Sequence, residues 1–325
     1  MAGFDDILGQ DAVVTILKRA VSQKRIPHAW LFCGPEGIGK SLTAAALALE
    51  LNCRNPVGPF GHACGICSSC KAFIAGTHPD FIRIQPQKNE IRVAQIRELC
   101  ETLEKKPFSA SNRMVLIKNI EKMNPSAANA ALKILEEPPE NTHFILTTPE
   151  PARLLPTIRS RCQSLLFHPL PEDVIERLLQ QDPVIDKEKA HLIASQCSGN
   201  MKRALSMVDP EWFRLREWVF QSIEQMNRFD PSLRLAFGDI ILSKPKWLAE
   251  SLDLIASWYR DALGLKHHGR HIINIDRSQR IAEVIEHRKS PDLLRSLDIV
   301  LRFRSKIDSR ANAKLMMDTL VLTLA

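Results

Sequence analysis

The chain has 325 residues, with 44 Lys and Arg against 37 Asp and Glu, a net charge of +7, and a hydrophobic fraction of 45%. This balance is typical of a globular protein of two or three domains, and the small basic excess permits contact with nucleic acid without indicating it. No apolar run approaches the roughly 20 residues that span a bilayer, and residues 1–25 contain no signal-type apolar core, so we expect a cytoplasmic protein without membrane contact.

The first predicted elements frame a glycine-rich motif. The pattern predicts a helix over 11–23, a buried strand over 29–33 and an Ala- and Leu-rich helix over 42–51. Between the last two lies Gly34-Pro35-Glu36-Gly37-Ile38-Gly39-Lys40-Ser41, a full match to G-x-x-x-x-G-K-[ST]. Gly34, Gly37 and Gly39 allow backbone amides to turn onto an anion, Lys40 is predicted to reach the outer phosphates, and Ser41 to bind magnesium. The motif therefore predicts binding of ATP or ADP with Mg²⁺.

Four of the eight cysteines cluster in the next segment. Residues 52–70 are rich in Pro and Gly, show almost no periodicity, and are too long for a plain connector. Cys53, Cys64, Cys67 and Cys70 have the spacing C-x10-C-x2-C-x2-C, which suits one tetrahedral zinc ion. In a cytoplasmic chain such a cluster favours metal over disulfides. We predict a structural zinc module over 52–71, without an open coordination position and without a catalytic role.

Strand and helix signals then alternate as far as residue 168. Strands are predicted at 81–84, 114–117, 144–147 and 164–167, with helices at about 93–105 and 125–136 and a short helix and turn over 152–162. This alternation predicts an α/β domain in which a parallel five-stranded sheet is covered on both faces. Beyond it only helices are predicted, at 172–181, 187–197, 201–208, 212–226, 231–242, 246–263, 277–289 and 291–325.

Several blocks resemble the clamp-loader family of AAA+ ATPase subunits. Residues 129–139, with the sequence NAALKILEEPP, are similar to the N-A-L-L-K-x-L-E-E-P-P block of that family, and residues 158–162 to its S-R-C motif. The four-cysteine insert resembles the zinc module of the bacterial members, and the sequences His-Pro-Asp at 78–80 and Ile-Leu-Gly-Gln at 7–10 also fit. The motifs cover about residues 4–208, and the remainder agrees in length and helical character.

The resemblance implies an AAA+ P-loop domain over 1–168, a helical lid over 169–209, and an all-α collar over 210–325 that joins five subunits. It further implies an assembly that uses ATP to open a sliding clamp and load it on primed DNA. The implied partners are the other loader subunits, namely the clamp-opening δ subunit and the γ/τ ATPase subunits. The clamp and primer–template DNA are contacted through the assembled complex.

The catalytic acids of the family are missing at the corresponding positions. Hydrolysing members end the third strand with Asp-Glu, and the register set by the E-E-P-P block places Lys118 and Asn119 there. Neither side chain replaces a carboxylate that binds magnesium or activates water, so the resemblance implies hydrolysis at background level. Glu121 is a weaker candidate for the base, because catalytic groups tolerate little displacement.

Three more site residues follow from the resemblance. Lys202 occupies the register of the second-sensor arginine and keeps its charge without its bidentate fork. Thr147 or Thr148 falls in the first-sensor region, and we take Thr148 as the site residue. Arg161 matches the S-R-C arginine, which reaches the nucleotide of the neighbouring subunit as a trans finger. On the bare sequence, without the motif match, a surface or salt-bridged arginine that ends a helix is the favoured reading of Arg161.

This chain lacks the catalytic carboxylates but keeps an arginine for the neighbouring subunit. In both respects it is similar to the non-hydrolysing, stator type of loader subunit. The phosphate loop then implies a nucleotide that is bound and not turned over. One alternative is an ATP-hydrolysing motor subunit or another AAA+ ATPase. The other is a zinc-bearing DNA-binding protein, although the cysteine insert lacks the flanking basic and aromatic residues of a DNA-reading finger.

Overall fold

The computed structural model describes residues 3–57, 62–226, 230–269, 272–307 and 312–324. They fall into two compact units, Met1–Ile175 with Ser198–Arg203, and Glu176–Cys197 with Ala204–Ala325. The predicted three-part division at 168 and 209 stays a prediction. No helix within the described ranges combines the length and apolarity needed to cross a bilayer.

The first unit is built on five parallel strands. Their order across the sheet is β2-β3-β4-β1-β5. The strands are β1 Ala29–Cys33, β2 Phe81–Ile84, β3 Arg113–Ile117, β4 Thr142–Thr148 and β5 Gln163–Leu166. Every residue of β1 is buried, as a strand covered on both faces requires. The predicted parallel α/β sheet is confirmed.

Helices cover both faces of this sheet. The helices that begin in the first unit before residue 175 are α1 Asp11–Ser22, α2 Lys40–Asn52, α3 Ser68–Ile74, α4 Val93–Leu103, α5 Pro125–Glu136, α6 Pro156–Arg159 and α7 Glu172–Leu179. The next helix, α8 Lys187–Gln196, belongs to the second unit, and α9 Met201–Met207 begins in the first. Side chains alternate between the faces. Trp30, Phe32, Met114, Leu116 and Ile145 pack toward α1 and α2, whereas Leu31, Val115, Ile117, Phe144 and Leu146 pack toward α4 and α5.

The helices and turns of the second unit include no strand among its described residues. After α8 it contains α10 Pro210–Gln225, α11 Pro231–Leu242, α12 Pro245–Lys266, α13 Ser278–Ile285, α14 Ser290–Lys306 and α15 Ala313–Thr323. The long α12 buries Trp258 and Tyr259 completely, and the Tyr259 hydroxyl donates to the Leu324 carbonyl at 2.8 Å. The predicted all-α C-terminal region is confirmed.

Two local predictions were wrong. The single helix expected over 291–325 is two helices, because Asn312 caps α15 by accepting the Leu315 amide at 3.2 Å; residues 308–311 lie outside the described part. The cysteine segment was expected to be irregular, yet α3 begins inside it. The Cys67 sulfur accepts the Cys70 amide and caps that helix, a signal that the sequence pattern did not reveal.

The His78-Pro79-Asp80 motif has a structural role in the first unit. Asp80 is buried and accepts hydrogen bonds from the backbone amides of Phe108, Ser109 and Ala110 at 2.7–2.8 Å. Burial alone would raise the pKa of Asp80, but the amides outweigh burial and hold the pKa below its ordinary value of 3.8. The ionised carboxylate thus fixes the loop that leads into β3.

Replacing Asp80 by Ala is expected to lower the free energy of unfolding by about 2–4 kcal/mol, because three charge-assisted hydrogen bonds are lost. Since the folded-state pKa is depressed, this stabilisation is complete above the unfolded-state pKa and disappears as pH falls through the folded-state pKa. Urea unfolding of wild type and variant at neutral pH and near pH 3 measures both effects. Glu101→Gln on the exposed side of α4 is the control, and equal losses for the two variants would contradict the assignment.

Candidate phosphate-binding and metal sites

The phosphate loop joins β1 to α2 at the carboxyl edge of the sheet, where ligands bind in parallel α/β folds. Gly34, Gly37 and Gly39 have φ angles of 144°, 74° and 101°, which side chains of L-residues disfavour. The Gly34 amide donates to the Thr148 carbonyl at 3.0 Å and so ties the loop to β4. Ser41 is half-buried in the first turn of α2. The backbone has the conformation that an anion-binding loop needs.

Residues 198–203 pack directly on this loop. The amide of Met201 donates to the Gly37 carbonyl at 3.0 Å. A Cβ atom on Gly37 would lie 1.8 Å from Asn200 Oδ1 and 2.9 Å from Lys202 Cβ, so only glycine fits there. Lys202 is therefore brought to the phosphate loop, as the sequence predicted for a second-sensor residue, although its role stays a prediction. The contact with Asn200 had no signal in the sequence pattern.

Lys40 is almost fully buried, and its ammonium group donates to the carbonyl oxygens of Gly34 and Pro35. Burial lowers the pKa of Lys40, while the nearby carboxylates of Glu36 and Glu121 act in the opposite direction. Glu121 Oε2 is buried and has no hydrogen-bond partner among the described residues. The charge of Glu121, the weaker candidate for the base, therefore acts on Lys40 of the phosphate loop.

Lys118 directly follows β3, and its amide continues the ladder by donating to the Ile84 carbonyl at 2.9 Å. Because side chains alternate along β3, Lys118 shares the face of Met114 and Leu116, which is the face that α2 covers. Burial lowers the pKa of the half-buried Lys118, and the positive charges of Arg83 and Lys202 lower it further. A cationic side chain thus stands at the position that the resemblance equates with an aspartate.

Asn119 links the end of β3 to the phosphate loop. Its side-chain amide donates to Glu36 Oε1 at 2.7 Å, and its backbone amide donates to Thr147 Oγ1 at 3.2 Å. By the alternation along β4, Thr147 lies on the α2 side of the sheet and Thr148 on the opposite side, where its hydroxyl accepts the Glu150 amide at 3.1 Å. Of the two first-sensor candidates, Thr147 rather than the selected Thr148 is the one beside Asn119.

Arg161 lies in the turn between α6 and β5, and a third of its side chain is exposed. Its Nη2 is 2.5 Å from Glu136 Oε1, and its Nη1 donates to the Thr157 carbonyl at 2.8 Å. Glu136 is the first glutamate of the E-E-P-P block, for which the sequence offered no role. The two motifs that carried the resemblance, one on α5 and one after α6, therefore meet in an ion pair.

The four clustered cysteines converge on one point. All four sulfur atoms lie within 4.8 Å of one another, and Cys64 Sγ is 4.0 Å from Cys70 Sγ. A tetrahedral zinc ion with Zn–S bonds of about 2.3 Å needs sulfurs roughly 3.8 Å apart, so Cys53, Cys64, Cys67 and Cys70 could hold zinc with little movement.

Backbone amides lower the pKa of Cys64 and Cys67 and so favour the thiolate forms that zinc requires, whereas burial raises the pKa of Cys53 and Cys70. The amide of Cys64 donates to Cys53 Sγ at 3.2 Å, and the amides of Cys67 and Cys70 each donate to the preceding cysteine sulfur of the cluster at 3.4 Å. Burial alone would raise the pKa of Cys67, but the amides of Cys70 and Arg54 outweigh it and lower the pKa to about 6.

The cysteine segment is attached to α2 through buried polar groups. Glu50 Oε2 accepts the Ala63 amide at 2.7 Å, and Glu50 Oε1 accepts the Phe4 amide at 3.3 Å. Burial raises the pKa of Glu50, against the effect of these two amides. The Ser69 hydroxyl donates to the Asn52 carbonyl at 2.8 Å. The metal site is thus fixed to the helix that starts at the phosphate loop.

Comparison with known proteins agrees with these motifs. A family model described as "DNA polymerase III, delta subunit" matches residues 9–171, and one described as "DNA polymerase III, delta subunit, C terminal" matches residues 211–325. DNA polymerase III subunit δ′ of Bacillus subtilis is 30% identical over 321 residues, which are 97% of this chain and 96% of that protein. Subunit τ of Escherichia coli is 35% identical over 213 residues, which are 63% of this chain and 32% of that protein.

Among solved structures, a γ-subunit-related protein of DNA polymerase III from Thermotoga maritima is similar, with a TM-score of 0.45 and 18% identity over 95% of this chain and 97% of that one. The phosphate loop on a five-stranded parallel sheet, the cysteine insert and the helical C-terminal region define a P-loop protein of the AAA+ clamp-loader class. Within that class, the chain belongs to the family of DNA polymerase III δ′ subunits. The resemblance seen in the sequence is confirmed.

Proposed function

We propose that this chain serves a DNA polymerase III clamp loader as a subunit that does not hydrolyse ATP and that supplies Arg161 to a neighbouring ATPase subunit. The observation that carries the proposal is the end of β3, where Lys118 and Asn119 follow the strand and Asn119 donates to Glu36 of the phosphate loop. The similarity to δ′ and τ subunits supports placement in the loader complex.

The chemistry at the end of β3 argues against hydrolysis. Phosphoryl transfer to water needs a metal ion that neutralises the phosphates and a group that orients and deprotonates the water. Lys118 repels a metal ion, and the amide of Asn119, already bonded to Glu36, has no basic lone pair at neutral pH. The motor-subunit alternative would require Glu121 to act as the base without an aspartate to hold the metal, although the charge of Glu121 lies near Lys40.

The setting of Arg161 supports a role in trans. The ion pair with Glu136 is partly exposed, with 33% of the arginine and 48% of the glutamate side chain accessible. Such pairs contribute about 0–1 kcal/mol, so a more highly charged phosphate of a neighbouring subunit can replace Glu136 at small cost. Until then, Glu136 and the Thr157 carbonyl hold the guanidinium in one place, which reduces the entropy lost on docking.

The two cofactor sites have different roles in this proposal. ATP or ADP binds at the amides of the phosphate loop and beside Lys40 and Lys202, and it is not turned over. Zinc at the four cysteines is structural, because four thiolates complete a tetrahedral shell and leave no open position for catalysis.

We further propose that the helical second unit contacts the other loader subunits, δ and the γ/τ ATPases. The sliding clamp and primer–template DNA are then reached through the assembled complex, with DNA contacted at its phosphates in a salt-dependent way. Membership of the δ′ family removes the case for an independent zinc-bearing DNA-binding protein.

The isolated chain is expected to release phosphate from ATP no faster than the buffer does, because the site lacks a metal-binding carboxylate and a base. A continuous phosphate-release assay on the purified chain and on its Lys40→Ala variant measures this. Turnover that the Lys40 substitution abolishes would contradict the proposal and favour the motor-subunit alternative. In the assembled loader, Lys40→Ala in this chain is expected to leave the total ATPase rate unchanged.

A further inference from the structure

Two lysine side chains, one directly after β3 and one in α9, make no hydrogen bond or ion pair with any residue that the structure describes. Lys118 follows β3 on the α2 side of the sheet and is half-buried. Lys202 is the second residue of α9, and its Cβ packs against Gly37 of the loop. A partly buried ammonium group without an anion is unfavourable, so a negatively charged ligand bound beside Lys118 relieves a cost already present in the protein.

The charges around this edge of the sheet have a positive surplus. Lys118 lies within electrostatic reach of Arg83 and Lys202, and Lys40 within reach of two carboxylates. The groups concerned are the basic Lys40, Arg83, Lys118 and Lys202 and the acidic Glu36 and Glu121. One of the two acids, Glu36, already accepts a hydrogen bond from Asn119. Four basic groups against two acidic ones favour a polyphosphate and disfavour a divalent cation.

Charge neutralisation at a phosphate loop ordinarily depends on a magnesium ion held by carboxylate and hydroxyl oxygens. Within the first unit, the position at the end of β3 offers an ammonium group and an amide in place of those carboxylates. Ammonium groups neutralise phosphate oxygens directly and need no metal between them. A magnesium ion held at the end of β3 would meet the ammonium group of Lys118 and be repelled by it.

We infer that this site binds the di- or triphosphate of a nucleotide without a divalent metal, and that Lys118 and Lys202 supply the counter-charge that magnesium provides elsewhere. The inference rests on the proposed nucleotide binding. It differs from the expectation drawn from the motif, in which the nucleotide binds together with a magnesium ion. It also gives the lack of hydrolysis a second cause. Fixed ammonium groups hold the phosphates, while no metal-bound water stands in line for attack.

The test measures equilibrium binding of ADP to the full chain by calorimetry, in buffer freed of divalent cations by resin and in the same buffer with millimolar MgCl₂. A soluble chelator is avoided because it would remove zinc from the cysteines, and zinc content is checked after each titration. For wild type, the two Kd values are expected to agree within about twofold. Lys118→Asp should weaken binding without magnesium by at least about tenfold and recover on adding magnesium.

Lys88→Asp is the matched control, because it makes the same charge change at an exposed position of the same unit and should leave both Kd values unchanged. Lys202→Ala should weaken binding equally with and without magnesium, because Lys118 is still present in this variant and repels the ion. If Lys118→Asp fails to fold, the comparison of the two wild-type Kd values still tests the inference. A tenfold or greater loss of wild-type affinity for ADP without magnesium would overturn the inference. That result would leave the proposed role of Arg161 unchanged. Absence of ADP and ATP binding in both buffers would overturn both the inference and the nucleotide-binding proposal.

Discussion

A loader assembled with the Arg161→Ala form of this chain is expected to keep all its subunits and to lose nearly all turnover at one nucleotide site. Arginine fingers contribute about 10³–10⁵ to the rate of phosphoryl transfer, because they stabilise charge on the transferred group. Assembly should survive, since the substitution removes only a surface ion pair with Glu136 and one bond to the Thr157 carbonyl. Clamp- and DNA-stimulated phosphate release measures turnover, and gel filtration measures assembly.

Two further variants separate the finger from a merely structural arginine. Arg161→Lys keeps the charge but loses the planar fork, so most of the rate loss should remain. Glu136→Gln leaves Arg161 in place and removes its partner's charge, so turnover should change by no more than about threefold. Unchanged turnover with Arg161→Ala, or equal effects of the Arg161 and Glu136 substitutions, would remove the finger from the proposal.

The sequence predicts the sheet well because its signals are local. The central strands β1, β3 and β4 contain short apolar runs, because the interior of a parallel sheet excludes polar residues from both faces. The phosphate loop is equally local, since eight consecutive residues contain all its chemistry. The split between α14 and α15 was missed because the cap at Asn312 is a single side-chain contact inside a long helical pattern.

The site could be predicted only in part, because its remaining contacts join segments that are distant in sequence. Asn200 fills the space above Gly37, and Glu136 pairs with Arg161 across the gap between α5 and β5. Gly37, Glu136 and Arg161 belong to motifs visible in the sequence, but a motif identifies residue types and does not say which residues they touch. The face of β4 that carries Thr147 was likewise decided by strand register and not by composition.

Removing zinc is expected to have the largest effect on stability. The described part of the cysteine segment is attached to α2 by hydrogen bonds to Glu50 and to the Asn52 carbonyl, and a zinc ion at the four converging sulfurs would cross-link its two ends. A ligand that binds only the folded state at a thousand times its Kd stabilises that state by about 4 kcal/mol. For a unit of this size, that free energy corresponds to roughly 10 °C in Tm.

Cys67→Ala should therefore lower the zinc content from one ion per chain to none and reduce the Tm by about 10 °C. Cys100→Ser, at a half-buried cysteine of α4 away from the cluster, should change neither quantity and is the matched control. Zinc content is measured by elemental analysis and Tm by calorimetry. A wild-type chain purified without zinc that nevertheless unfolds at the same temperature with or without added zinc would contradict a structural metal site. Because α2 leads from the phosphate loop to Glu50, loss of zinc should also weaken ADP binding, whereas loss of Arg161 should not.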